Sequence, residues 1–223
     1  MMRVAELPIP PDELVEITLR SLLVSGVATV IGSAIAIPLG SLLGLTRFRG
    51  QRIARTILFT FYGFPPVVAG LIIFFLLSSK GPFGAYDALF TVEAMIMAEL
   101  ILVMPLVAGI TMSSVAEVDQ SILDTARALG ASKRQVRATA LREARSGVMT
   151  GIMVAFGGAV SEVGAAMLVG GNIQYSTRVL TTAVVQETRL GNFEYAAALG
   201  GILLVITFGI YFVLGYFQEK GPR

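Results

Sequence analysis

Five long apolar stretches organise this chain, at about 21–45, 57–78, 92–115, 147–170 and 198–217. Each holds enough residues to cross ~30 Å of hydrocarbon as a helix. A soluble domain has no use for so much uninterrupted apolar sequence. With 55% apolar and only 14% charged residues, the chain is also far from a disordered one. The expectation is an all-α integral membrane protein: a single transmembrane domain over 1–223. The first stretch is long and carries Pro38, so a tilted or kinked span is expected there.

What is missing narrows the chemistry. There is no Cys and no His. That removes disulfides, thiolate nucleophiles, the commonest metal ligand and the commonest general base. Neither a Ser–base pair nor paired polar carboxylates stand out, so a membrane enzyme is disfavoured. No basic, aromatic-rich surface points to nucleic acid. No Gly-x-x-x-x-Gly-Lys-Ser/Thr loop points to a resident nucleotide.

Basic residues set an expected orientation. The 46–56 loop carries Arg47, Arg49, Arg52 and Arg55. The 116–146 loop carries Arg127, Lys133, Arg134, Arg137, Arg142 and Arg145, and the tail carries Lys220 and Arg223. Only Arg3, Arg20, Lys80, Arg178 and Arg189 fall on the other side. The bias predicts an outside N-terminus and an inside C-terminus, as an odd number of spans requires. The N-terminus, with Glu6, Asp12, Glu13 and Glu16 against Arg3, does not read as a secretory signal. Pro8, Pro10 and Pro11 predict a non-helical start, and Asp12 a cap on a short helix leading into the first span.

Helices in lipid associate through small residues. Gly32, Ala36, Gly40 and Gly44 lie four apart on one face of the first span. Gly157, Ser161 and Ala165 repeat the spacing in the fourth, and Ala197 and Gly201 in the fifth. Pro38, Pro65, Pro66 and Pro105 fall within spans, as hinges or as static kinks. Five helices hardly enclose a hydrophilic path alone, so a second copy or a similar chain is expected.

The 116–146 connection is the most informative segment. Val118, Ile122, Ala126 and Leu129 fall at helical spacing, Gly130 interrupts, and Ser132 with Gln135 forms a potential capping box. The reading is helix, glycine turn, helix: a compact knob for a protein partner, or else an interfacial segment binding anionic lipid.

The stretch Asp124-Thr125-Ala126-Arg127-Ala128-Leu129-Gly130-Ala131-Ser132 resembles the EAA loop of ATP-binding-cassette importer permeases of type I. Asp124 stands for the family's Glu and Thr125 for its first Ala. Leu141-Arg142-Glu143-Ala144 stands where many members have Leu-Pro. The segments Ile37-Pro38-Leu39-Gly40, Gly63-Phe64-Pro65-Pro66 and Ser161-Glu162-Val163-Gly164-Ala165 resemble the tungstate-type branch, as do Val169-Gly170-Gly171-Asn172, Thr181-Thr182-Ala183 and Gln186-Glu187-Thr188.

The resemblance implies a permease of a prokaryotic cell membrane, paired with a second copy, two ATPase subunits and an extracytoplasmic oxyanion-binding protein. ATP would sit on the ATPase, with no cofactor on this chain. Tungstate is the implied cargo, with molybdate near and sulfate further off; an ion-coupled carrier is the remote alternative. Asp124, Thr125, Ala126, Leu129, Gly130, Ala131 and Ser132 are implied to engage the ATPase. Ser161, Glu162, Gly164, Gly170, Gly171 and Asn172 are the expected path or gate. Arg178, Thr181, Thr182 and Glu187, in the external segment 171–197, are the implied binding-protein contacts.

A doubly charged anion needs weak donors rather than a dense cationic trap. Ser161, Thr150, Thr111, Ser113 and Ser114 are candidates, each also able to bond its own helix backbone. Three acids fall within spans. Glu93 is expected at an interface, and Glu99 and Glu162 deeper, where a charge costs roughly 2.5–3.5 kcal/mol. Glu162, among glycines, is expected to order the gate by hydrogen bonding. A proton relay is the rival, without a second well-spaced acid in the sequence.

Overall fold

The computed structural model describes residues 10–46 and 48–220. Arg3, Glu6, Pro8, Arg47 and Arg223 lie outside the described residues, as does the side chain of Lys220. Among the described residues every regular element is helical: α1 (Pro11–Leu45), α2 (Gln51–Thr60), α3 (Pro66–Leu77), α4 (Val92–Ala116), α5 (Gln120–Ala128), α6 (Lys133–Glu143), α7 (Arg145–Val160), α8 (Gly164–Gly170), α9 (Leu180–Arg189) and α10 (Phe193–Lys220). By length and apolarity α1, α4 and α10 can each cross a membrane. The pairs α2–α3 and α7–α8 raise the number to five if each bent pair is one span.

The first helix begins ten residues before the apolar stretch. The short helix expected from Asp12 is continuous with the span, as the first turns of α1. Pro11 sits in the first turn, where its missing N–H costs nothing, and Asp12 and Glu13 complement the dipole there. The helix then runs unbroken through Pro38 for 35 residues. Likewise α4 runs through Pro105, with Thr91 as its cap accepting from Ala94 N–H. Neither proline breaks its helix.

These two helices form the spine. A Cβ on Gly32 would lie 2.6 Å from Val103 Cγ1, one on Gly40 2.2 Å from the Ala108 carbonyl oxygen, and one on Gly44 2.6 Å from that of Met112. Ala36, between them, is fully buried. Small residues at four-residue spacing thus let the α1 and α4 backbones touch, the packing that lipid-embedded helices favour. The later spacings do less. Gly157 meets the Tyr211 hydroxyl, and Ala165 meets Gly70 on α3, but α7 ends before Ala165 and no continuous face results. Ala197 and Gly201 face outward.

The two bent pairs break where the sequence removes helical options. Phe64 and Pro65 take extended ψ of 122° and 123° ahead of Pro66, as residues before proline do, and α2 meets α3 at 98°. At 161–163 α7 turns into α8 at 57°. The half-helices support one another: a Cβ on Gly70 would lie 2.8 Å from the Ala165 Cα. Phe90 N–H donates to the Val169 carbonyl at 2.8 Å, tying the end of α8 to the entry of α4.

At the opposite end from α5–α6, a buried ion pair joins the start of α1 to the segment before α9. Glu13 is fully buried; its Oε1 accepts from Arg178 at 2.8 Å and its Oε2 from Gln174 at 2.8 Å. Arg20 donates to the Arg178 carbonyl, and Leu180 N–H donates to Ser21 Oγ, each at 2.8 Å.

Four outcomes, in two pairs, are expected from thermal unfolding of the purified chain. Gly40→Val forces two backbones apart and costs at least about 3 kcal/mol. Gly26→Ala, with nothing within 4 Å of the new methyl, changes stability by less than about 0.5 kcal/mol. Glu13→Ala strands a buried guanidinium and costs about 3–5 kcal/mol. Glu16→Ala, which loses a half-exposed 3.6 Å contact with Arg20, costs under about 1 kcal/mol.

Candidate functional site

Between α4 and α7 the chain builds an elbow from local rules. Asp119 caps α5 by accepting from Ser121 N–H at 2.8 Å, and bonds from Ser121 hold its carboxyl below the usual range. At the other end, Ala131 N–H returns to the Ala126 carbonyl and Gly130 N–H to that of Arg127, both at 3.0 Å, with Gly130 at φ +84°. This glycine-closed cap explains the Ala126…Gly130-Ala131 spacing physically. Ser132 and Gln135 form the expected reciprocal capping box on α6.

The elbow is anchored by Leu123, Val136 and Ala140, packed on Leu45 at the end of α1. The apolar stripe is therefore rotated from the expected one. Leu123 is its buried member, while Ile122 is 38% and Leu129 83% exposed. Asp124, Thr125, Gly130 and Ser132 are exposed and Ala126 and Ala131 half-buried, all on the same tip. Asp124 pairs with Arg127 on that surface. Leu129 thus stands exposed at the apex of the turn, with Ile122 also uncovered on α5. Only Ala144 separates α6 from α7, so the tip is joined to α7 without a slack linker.

At the far end of α7 lies the break that contains Ser161, Glu162 and Gly164. Glu162 Oε1 accepts from Ala165 N–H at 3.0 Å, so this side chain does order the start of α8. Thr181 Oγ1 donates to the Glu162 carbonyl at 2.9 Å. Ser161 is exposed, yet its hydroxyl bonds back to Gly157 and Gly158 carbonyls. Thr150 and Ser114 bond back to Ser146 and Ile110 in the same way. Thr111 is fully buried.

Behind the break, Ser21, Ser25, Glu99, Glu162 and Thr181 line a cavity of ≈ 10 Å³, room for about one water. Glu99 is 4% exposed and its Oε2 has no hydrogen-bond partner. The second acid that the sequence did not reveal near Glu162 is therefore Glu99, brought there by α4. Ser21, Ser25, Thr29 and Ser33, all buried, also escaped notice. Their four-residue spacing on α1 was the available signal.

The external segment folds against the bundle, as the spacing of Val179 and Ala183 suggests. Gly170 packs on Met95, Gly171 adopts φ +71°, and Asn172 donates to Gln186. Arg178, Thr181, Thr182 and Glu187 are all buried: Arg178 pairs with Glu13, Thr182 Oγ1 accepts from Val179 N–H at 3.0 Å, and Glu187 accepts from Asn192 at 2.8 Å. In this fold the four brace the segment from within, and its exposed surface comes from neighbours such as Tyr175, Leu190 and Phe193.

Comparison with known proteins agrees with this architecture. Residues 36–220 match the family described as binding-protein-dependent transport system inner membrane component. The chain is 39% identical over 214 residues to a probable anion ABC transporter permease of Haloferax volcanii, covering 94% of this chain and 92% of that protein. It is 39% identical over 200 residues to the tungstate uptake system permease TupB of Peptoclostridium acidaminophilum, covering 90% and 88%. Among solved structures, the inward-facing MetNI methionine ABC transporter superposes at a TM-score of 0.78 with 20% identity, over 94% of this chain and 96% of that one, which establishes the fold. With the elbow, the broken spans and these matches together, the chain belongs to the inner-membrane component family of binding-protein-dependent transport systems.

Proposed function

We propose that this chain is the permease subunit of an ATP-driven oxyanion importer, with tungstate as cargo. The observation that carries the reading is the elbow: a capped, glycine-closed tip with Leu129 exposed, joined directly to the helix that ends at the break. The names of the 39%-identical anion and tungstate permeases support the cargo class.

In this reading a separate ATPase holds the nucleotide and grips Asp124, Thr125, Ala126, Leu129, Gly130, Ala131 and Ser132. The chain itself carries out no covalent chemistry. Closure of an ATPase pair displaces the tip. Because α6 passes into α7 across one residue, α7 moves as a rod and its end reorients the break at Ser161, Glu162 and Gly164. Gly170, Gly171 and Asn172 terminate α8 and let it follow. Two copies facing one another enclose the path, and the outer face receives a loaded binding protein. ATP and the binding protein shift the populations of inward- and outward-open states. Selection rests with the binding protein. The path holds its cargo weakly, because Ser161 spends its proton on its own helix and, among the described residues, no cation lines the cavity behind the break.

Uptake by proteoliposomes holding permease, ATPase and binding protein tests this. Tungstate should accumulate only with ATP and all three components, with molybdate competing better than sulfate. A permease that accumulates tungstate without the ATPase would overturn the proposal.

Three tip variants sharpen it. Leu129→Asp should cut uptake by at least tenfold while the chain stays folded, and Gly130→Trp should do so by combining added bulk at the tip with strain at φ +84°, since its Cβ meets nothing within 4 Å inside the subunit. Gly130→Asn, tolerant of positive φ, should retain most uptake. At the break, Glu162→Gln keeps an oxygen for Ala165 N–H and should leave uptake within about twofold. Glu162→Ala loses that bond, worth about 1 kcal/mol. Abolition by Gln as well as Ala would favour a titrating, ion-coupled role instead.

A further inference from the structure

A second pocket lies where the elbow meets the end of α1. Its volume is ≈ 370 Å³, and Leu45, Thr46, Arg127, Ala131, Lys133, Val136 and Arg137 line it. The residues divide by chemistry. Leu45, Ala131 and Val136 supply apolar wall; Val136 and Leu45 belong to the cluster that anchors the elbow. Arg127, Lys133 and Arg137 supply charge.

That charge is not balanced within the chain. Arg127 pairs with Asp124. Among the described residues neither Lys133 nor Arg137 has an acidic partner within ion-pair distance. They stand four apart on α6, so they share a face and repel one another. The C-terminal end of α1, with no basic residue of its own in its last turn, offers about half a negative charge. Two unpaired cations against half a charge leave the pocket net positive by about 1.5, enough to take one phosphodiester, which carries a single negative charge.

Position and lining then choose the ester. Leu45 is the last residue of the 35-residue helix α1, which is long and apolar enough to cross a membrane, so the pocket opens beside the end of that helix. A free phosphate gains nothing from an apolar wall. A phospholipid gains from both halves, with its phosphate among the cations and its glycerol and upper chain along Leu45 and Val136. We propose that this pocket binds the headgroup of an anionic phospholipid, which braces the elbow against α1. The assignment concerns binding, so it stands or falls apart from the transport reading.

The full chain, purified in neutral detergent, is exposed to phosphatidylglycerol or phosphatidylcholine, and retained lipid is counted by native mass spectrometry. Phosphatidylglycerol should be retained selectively. Lys133→Gln and Arg137→Gln should each weaken retention about fivefold, and the double variant correspondingly more. Arg142→Gln, an exposed cation outside the pocket, should change it little. The charge-preserving pair Lys133→Arg with Arg137→Lys should keep retention and thereby separate lost binding from lost folding. Equal retention by the double Gln variant, or an equal effect of Arg142→Gln, would overturn the proposal. A parallel titration with inorganic phosphate distinguishes the source: wild-type-specific saturation by phosphate with no preference for phosphatidylglycerol would overturn the lipid assignment.

Discussion

Backbone polar groups inside an apolar layer find partners within the protein or nowhere, and this constraint shapes the whole chain. Long spans stay helical even through Pro38 and Pro105. Where the helix does break, the freed groups are met from nearby: Glu162 takes Ala165 N–H, Thr181 bonds the Glu162 carbonyl, and Val169 accepts from Phe90. A break so supported is a specified bend. Backbone contact between α1 and α4, at Gly40 and Gly44, supplies the rigid spine against which such bends can move.

The elbow and the break answer different demands. On the water side, the elbow is set by local signals, a capping box and a glycine-closed cap, and it presents Leu129 outward. The break is set by long-range contacts, with Gly70 of α3 against Ala165 of α8 and Glu99 of α4 beside Glu162. The locally determined tip reaches α7 through α6, and the non-locally determined bend lies at the far end of α7.

This division also explains what the sequence disclosed. Apolar length located the helices that can cross a membrane, and spacing located the elbow, because both depend on residues within a few turns. Asp12 marked a helix leading into the first span, but its continuity with that span and the burial of Glu13 against Arg178, 165 residues away, depend on a distant partner. Leu123 rather than Ile122 anchors α5 because α1 and α6 decide which face is covered. The outward face of Ala197 and Gly201 likewise depends on neighbours, not on their spacing. The meeting of Glu99 and Glu162 needs α4 and α7 side by side, which no local pattern encodes.

The central claim is that motion of the tip is motion of the break. The chain has no cysteine, so a single Gly158→Cys, exposed beside Ser161 and free of neighbours within 4 Å, can carry a spin label in each of the two copies of the proposed assembly. In the complex with its ATPase, the label-to-label distance is measured by pulsed electron resonance with and without ATP. The account predicts a shift on ATP binding that disappears when Leu129 is also changed to Asp. An undiminished shift in that double variant would show that the break moves without the tip, and would contradict the account.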